Sequence, residues 1–170
     1  MSNLKSFLEG GDLRSTANVE QLLPLIKNQQ DFDELFEFML SKERLIVMRA
    51  ADAVEKVTLD HPHFLIKHKS EVLQLLSSSA HIELKWHLAL LVPRMPLSKE
   101  EFQVVWATLK AWAKDSSESK IVRVNALQTL WELAHGVSGL QEELEDMFQT
   151  IQLENVPSLA ARIRKLKKRK

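Results

Sequence analysis

Between residues 42 and 59 the apolar positions return every three or four residues. Placed on a helical wheel, Ile46, Ala50, Ala53, Val54 and Val57 share one side. Asp52, Glu55 and Arg44 lie opposite, with Arg49 and Lys56 on one flank. The same figure recurs downstream. "ELKWHLALLVPRM" groups Leu84, Leu88, Leu91, Val92 and Met95, and "IVRVNALQTLWELA" groups Ala126, Leu127, Leu130 and Ala134. "SLAARIRKL" repeats it more weakly with Leu159, Ile163 and Leu166. The centres Ala50, Leu88, Ala126 and Ile163 are separated by 38, 38 and 37 residues. Before each comes a second amphipathic segment with a large apolar residue at matching spacing: Leu35, Leu73, Leu109 and Met147. The pattern predicts a single repeat domain over 1–170. Its helix–turn–helix units lie near 30–60, 61–96, 97–136 and 137–168, with cap helices over 1–29. The small residues at two of the centres, Ala50 and Ala126, suit helices whose backbones cross closely.

The breaks between periodic stretches agree. Ser41, Ser77–Ser79, "DSSES" (Asp115–Ser119) and "ENVP" (Glu154–Pro157) divide the helices within units, and "LDHP", "RMPLS" and "HGVSG" divide one unit from the next. Ser98 with Glu101 makes a capping box, Pro62 stands at a helix start, and Gly136 ends the helix before it in a left-handed turn. Asn18 with Gln21 predicts a capped helix to about Lys27. "GGDLRS" ends a short first helix, with Asp12 or Ser15 bonding the local backbone.

Composition narrows the class. The 170 residues include 4 Gly, 5 Pro, no Tyr and no Cys, which disfavours a β-rich fold and excludes disulfides and thiolate metal sites. The N-terminal stretch is too polar for a signal peptide, and the longest apolar run, Leu88–Val92, is too short to span a bilayer. A soluble, cytoplasmic protein is expected. Formal net charge is zero but lopsided: the last ten residues hold seven of the 23 basic groups and no acid. The body before them is acidic.

"VRVNALQTL" (Val122–Leu130) resembles the V-R-x-x-A-x-x-x-L second helix of HEAT repeats, and "IVMRAADAV" is similar, with Val47 in the Arg position. "GGDLRSTANVEQLL", "FDELFEFMLSKERLIVMRAADAVEKVTLDHP" and "ELKWHLALLVPRM" look more narrowly like a family of small bacterial HEAT-like proteins without assigned function. The resemblance implies an all-α, right-handed α-α superhelix of HEAT/armadillo type, and no particular chemistry. The fourth unit departs from the motif and reads as a cap.

No phosphate-binding glycine loop, nucleophile elbow or zinc-protease motif occurs, so no catalytic residue, metal ligand set or cofactor is assigned and a non-enzyme is expected. His61, His63 and His68 cluster, with His81 and His87 further on, but a solvated turn explains them better than tetrahedral zinc. Trp106, Trp112 and Trp131 read as packing residues. Trp86 sits opposite its helix's apolar side, either packed on the next unit or exposed as an anchor for a peptide or a base.

The resemblance places second helices along a concave side, where Arg49, His87, Asn125 and Arg162 fall at equivalent positions. Lys56, Arg94, Glu132 and Arg169 form a parallel row. With Trp86, this ladder is the candidate surface for a protein or peptide partner, the alternative being ordinary helix-spaced ion pairs. The tail, with Lys165, Lys167, Lys168, Arg169 and Lys170, suits nucleic-acid phosphates or anionic lipid, or else is a frayed end whose residues 167–170 are mobile. The leading reading is a helical-repeat scaffold. The second is a nucleic-acid binder using the basic ladder and tail, remotely like DNA glycosylases built of HEAT-like units.

Overall fold

The computed structural model of the chain describes residues 4–11 and 18–168. Among them are ten α-helices and no strand. Two short helices, α1 (Lys5–Leu8) and α2 (Val19–Leu22), precede four pairs. These are α3 (Gln29–Glu37) with α4 (Arg44–Asp60), α5 (Lys69–Ser78) with α6 (Ile82–Leu91), α7 (Lys99–Lys114) with α8 (Lys120–Ala134), and α9 (Leu140–Gln152) with α10 (Pro157–Lys167). The chain divides into two compact units, residues 1–70 and 71–170, the division falling within α5. The repeat centres Ala50, Leu88, Ala126 and Ile163 are all fully buried.

In the first unit α4 is the central helix, packed by α1, α2 and α3. Its buried side is wider than the wheel suggests, because Val47, Met48, Arg49, Ala51 and Thr58 are enclosed as well. Helix α2 stops sooner than expected. Pro24 lacks an amide hydrogen, so the chain tightens to a 3-10 turn over Leu23–Leu25. Asn18 makes no side-chain cap; its carbonyl accepts from the amides of Gln21 and Leu22 instead. The side-chain cap in this region is Asn28, which accepts from the amides of Gln30 and Asp31 at the start of α3. Gly10 and Gly11 take positive φ just after α1, while Asp12 and Ser15 lie outside the described residues.

Pro62 opens a 3-10 segment through His68 rather than an α-helix. Three residues per turn put Leu65 and His68 on one line, and both are buried. His68 is therefore no solvated turn residue. Its ring stacks on Phe36 with centroids 4.1 Å apart, and Nε2 lies 2.6 Å from Asp33 Oδ1. Lys67 also pairs with Asp33, and Gln29 donates to it. Burial works to raise the Asp33 pKa, but the bonds from Lys67, Gln29 and His68 together bring it down to about 2.

A carboxyl depressed in the folded state stabilises the fold above its unfolded pKa, and that contribution is lost as pH falls through the folded value. Stability from this cluster is thus complete above the ordinary value of 3.8 and disappears on approach to about 2. Thermal melts across that window should show the gap between the parent and Asp33→Asn closing as acid is added. A gap constant with pH would rule out an ionised Asp33 as its source.

The second unit has two layers. Helices α6, α8 and α10 lie side by side, while α7 packs on α8 and α9 packs on both α8 and α10. In α5 the buried residues are Val72 and Leu76, and Leu73, the expected core residue, is half-buried. The Ser98–Glu101 capping box is formed in both directions at the start of α7. Trp106 and Trp112 are buried, and Trp131 stacks on Phe148 with centroids 6.3 Å apart.

Candidate functional site

The ladder residues point to their own chain. Arg49 is fully buried and donates Nη1–H to the Leu8 carbonyl at 2.7 Å, so it holds α1 against α4 and offers nothing to a ligand. Lys56 pairs with Glu20 and Asp52. His87 is buried, its ring edge-on to the half-buried Trp86 at 5.4 Å. Asn125 donates Nδ2–H to the Trp86 carbonyl at 3.3 Å, and Thr129 Oγ1 donates to the Ala89 carbonyl at 2.6 Å. Arg162 Nη1 donates to Gln128 Oε1 at 2.7 Å. Arg94 is half-buried and already engaged within the chain, and Glu132 accepts from Gln128. The physical reason is proximity. Helices stacked in one layer bring their flanks within bonding distance, and a side chain placed there meets a neighbouring backbone before it meets solvent.

A second set of braces, unseen in the sequence, reaches forward. Lys85 pairs with Glu118 in the α7–α8 turn, its amine 5.3 Å from the Trp112 ring centroid. Three residues before its own repeat centre, as Lys85 is before Leu88, Arg123 does the equivalent one repeat later. Its Nε donates to the Ala113 carbonyl at 2.9 Å and its Nη2 to Glu154 at 2.7 Å. The hydrogen bond from Arg123 holds the Glu154 carboxyl below its ordinary pKa. The recurrence of a cation at this position was the available signal.

An open trough lies elsewhere, between the first helices of the third and fourth pairs. Helix α7 carries Lys99, Phe102, Gln103, Trp106, Ala107 and Lys110 along one stripe at spacings of three and four. Opposite it, the α8–α9 turn contains Gly136 and Gly139 at φ +75° and +83°. No heavy atom stands within 4 Å of where a Cβ would sit at either glycine, so backbone conformation and not space selects glycine there. The two left-handed residues carry Val137 outward, 42 % exposed, and start α9 at Leu140.

The result is a trough of about 580 Å³. Phe102 and Trp106 are stacked along one wall, with centroids 5.9 Å apart and planes 11° from parallel. Val137 and Leu140 form the other wall. Glu143 bridges the two sides, accepting from Trp106 Nε1 at 3.3 Å and from Lys110. The Lys110 bond first, and that of Trp106 with it, keep Glu143 ionised below the usual carboxylate range. Lys99 stands at one end with no carboxylate paired to it among the described residues. The arrangement can hold an apolar side chain and place a cation beside it.

The basic C-terminal helix divides into bound and open positions. Lys167 is helical and pairs with Glu145, so it belongs to no free tail. Arg164, Lys165 and Lys168 are exposed, and Arg169 and Lys170 lie outside the described residues. No three His, Asp or Glu side chains among the described residues are grouped to hold a metal ion, and no helix there is long and apolar enough to cross a membrane.

Paired helices recurring at a near-constant period, those of the second unit tied to their neighbours by side chains at equivalent places, define a helical-repeat protein. The profile of the HEAT repeat domain matches residues 11–170, running through the boundary between the two units, and the chain belongs to that family. No curated protein and no solved structure matches the chain. The narrower likeness to small bacterial HEAT-like proteins therefore rests on the sequence motifs alone.

Proposed function

We propose that the protein is a non-enzymatic helical-repeat scaffold that binds a peptide segment of a protein partner. The observation that carries this reading is the trough between α7 and α9, with its Phe102–Trp106 stack facing Val137 and Leu140. Aromatic-walled concavities with few polar groups are where anchoring side chains are held most strongly. The occupant that fits is an aromatic or leucine side chain flanked by Asp or Glu, the acid being matched by Lys99. The concave ladder is set aside as the docking surface because Arg49, Asn125 and Arg162 already have partners inside the chain.

A displayed library of random peptides panned against the whole protein tests this. Enriched peptides should share an apolar residue next to an acid, and their affinity should fall roughly tenfold or more in Ala107→Arg, about 1.4 kcal/mol. Ala107 is exposed, so the substitution fills the trough without entering the core. Peptides that bind Ala107→Arg as tightly as the parent, or no enrichment at all, would rule the trough out.

A further inference from the structure

A different observation, independent of the trough, concerns the outward side of α10. Its inward side is Leu159, Ile163 and Leu166, all fully buried. Its outward side carries Ala161, Arg164, Lys165 and Lys168, one helical stripe at i, i+3, i+4 and i+7. The small Ala161 side chain leaves a shallow notch of about 290 Å³ with the three cations around it.

No ion pair within the described residues takes up Arg164, Lys165 or Lys168. Helix α10 contains no acid. Of the carboxylates that come before it, Glu145 is taken by Lys167 and Glu154 by Arg123. Arg164 and Lys168 stand one turn apart, where like charges repel and weaken a helix. A stripe of one sign, kept at some cost to its own helix, calls for an anion from outside.

We infer that the notched basic side of α10 is a docking site for the phosphate backbone of nucleic acid, bound without regard to base sequence. The geometry favours this over the other anionic surfaces. The helix rises 1.5 Å per residue, which sets Arg164 and Lys168 about 6 Å apart along its axis, a reach that covers roughly two successive charges of one strand. An amphipathic helix adsorbs on a bilayer by sinking its apolar side into the lipid, and the apolar side of α10 is locked in the protein core. The notch residues include no aromatic ring to stack on a base and no amide to read a base edge, so contact is confined to phosphates.

The test uses the whole protein and fluorescence anisotropy of labelled mixed-sequence DNA, single- and double-stranded, between about 50 and 200 mM salt. Three neutralised phosphates predict a log–log salt slope of about −2.7 on duplex DNA. An unrelated sequence should bind equally. Ala161→Glu should weaken binding at least about tenfold while keeping or raising the melting temperature. The introduced carboxylate pairs with Lys165 one turn on, so lost binding cannot be attributed to lost folding. Phosphatidylserine vesicles and poly-glutamate serve as competing probes. The inference is overturned by an absence of DNA binding at the lowest salt, by unchanged binding in Ala161→Glu, or by either competing probe binding as tightly as DNA.

Discussion

Replacing Arg49 with alanine should destabilise the 1–70 unit by about 3 kcal/mol or more, among the largest effects expected of any single truncation in the chain. Arg49 heads the largest fully buried side chains, and its guanidinium satisfies the Leu8 carbonyl. Truncation opens a cavity, costing roughly 2–4 kcal/mol by analogy with large apolar side chains. It also strips the Leu8 carbonyl of that donor, at about 1–3 kcal/mol less whatever solvent recovers. Arg49→Met separates the two contributions. It keeps most of the volume and removes the desolvated charge, so it should cost much less than the alanine. Urea denaturation followed by fluorescence of the four tryptophans is unsuited, because all of them lie beyond residue 70. Circular dichroism or hydrogen exchange reports on α1 and α4 directly. An alanine variant with the parent's midpoint would mean that the Arg49–Leu8 tie does not support the unit.

The second large effect comes from adding bulk. Ala126→Leu should lower stability by about 1–3 kcal/mol, and Ala50→Leu by a similar amount, because close-packed interiors tolerate extra methylenes poorly. At Ala126 the strain has an identifiable outlet. Asn125 and Thr129, on either side of it, bond to the backbone carbonyls of Trp86 and Ala89 on α6. A leucine that pushes α8 away from its neighbours loosens both bonds. Urea midpoints at unchanged slope measure the cost, and thermal melts that match the parent would show that the crossing has room to spare.

Much of this architecture was legible in the chain because burial periodicity survives without knowledge of neighbours. Ala50, Leu88, Ala126 and Ile163 could be located by counting, since each sits at the middle of its own helix's apolar side. The Ser98 cap could be located because a capping box is local chemistry. What a helical wheel cannot supply is the distance to the next element. It put Arg49 and Asn125 on a flank, but could not show the Leu8 and Trp86 carbonyls beside them. His68 was misplaced because a 3-10 segment turns its ring inward, and α2 was drawn too long because Pro24 outweighed the periodic pattern. The trough was missed for a different reason. Its wall depends on the path of the loop through Gly136 and Gly139, and two glycines announce a turn without saying which side chain the turn presents.

The ties between repeats have a consequence for how such a chain can change. Arg49 grips a main-chain carbonyl, Asn125 and Thr129 grip two others, and Arg162 grips the amide of Gln128, so these flank ties differ from place to place even though the forward braces of Lys85 and Arg123 recur. Excising or duplicating one helix pair would set mismatched halves against each other. Length in this protein is therefore not an adjustable quantity: its modules carry individual keys and will not trade places like tiles.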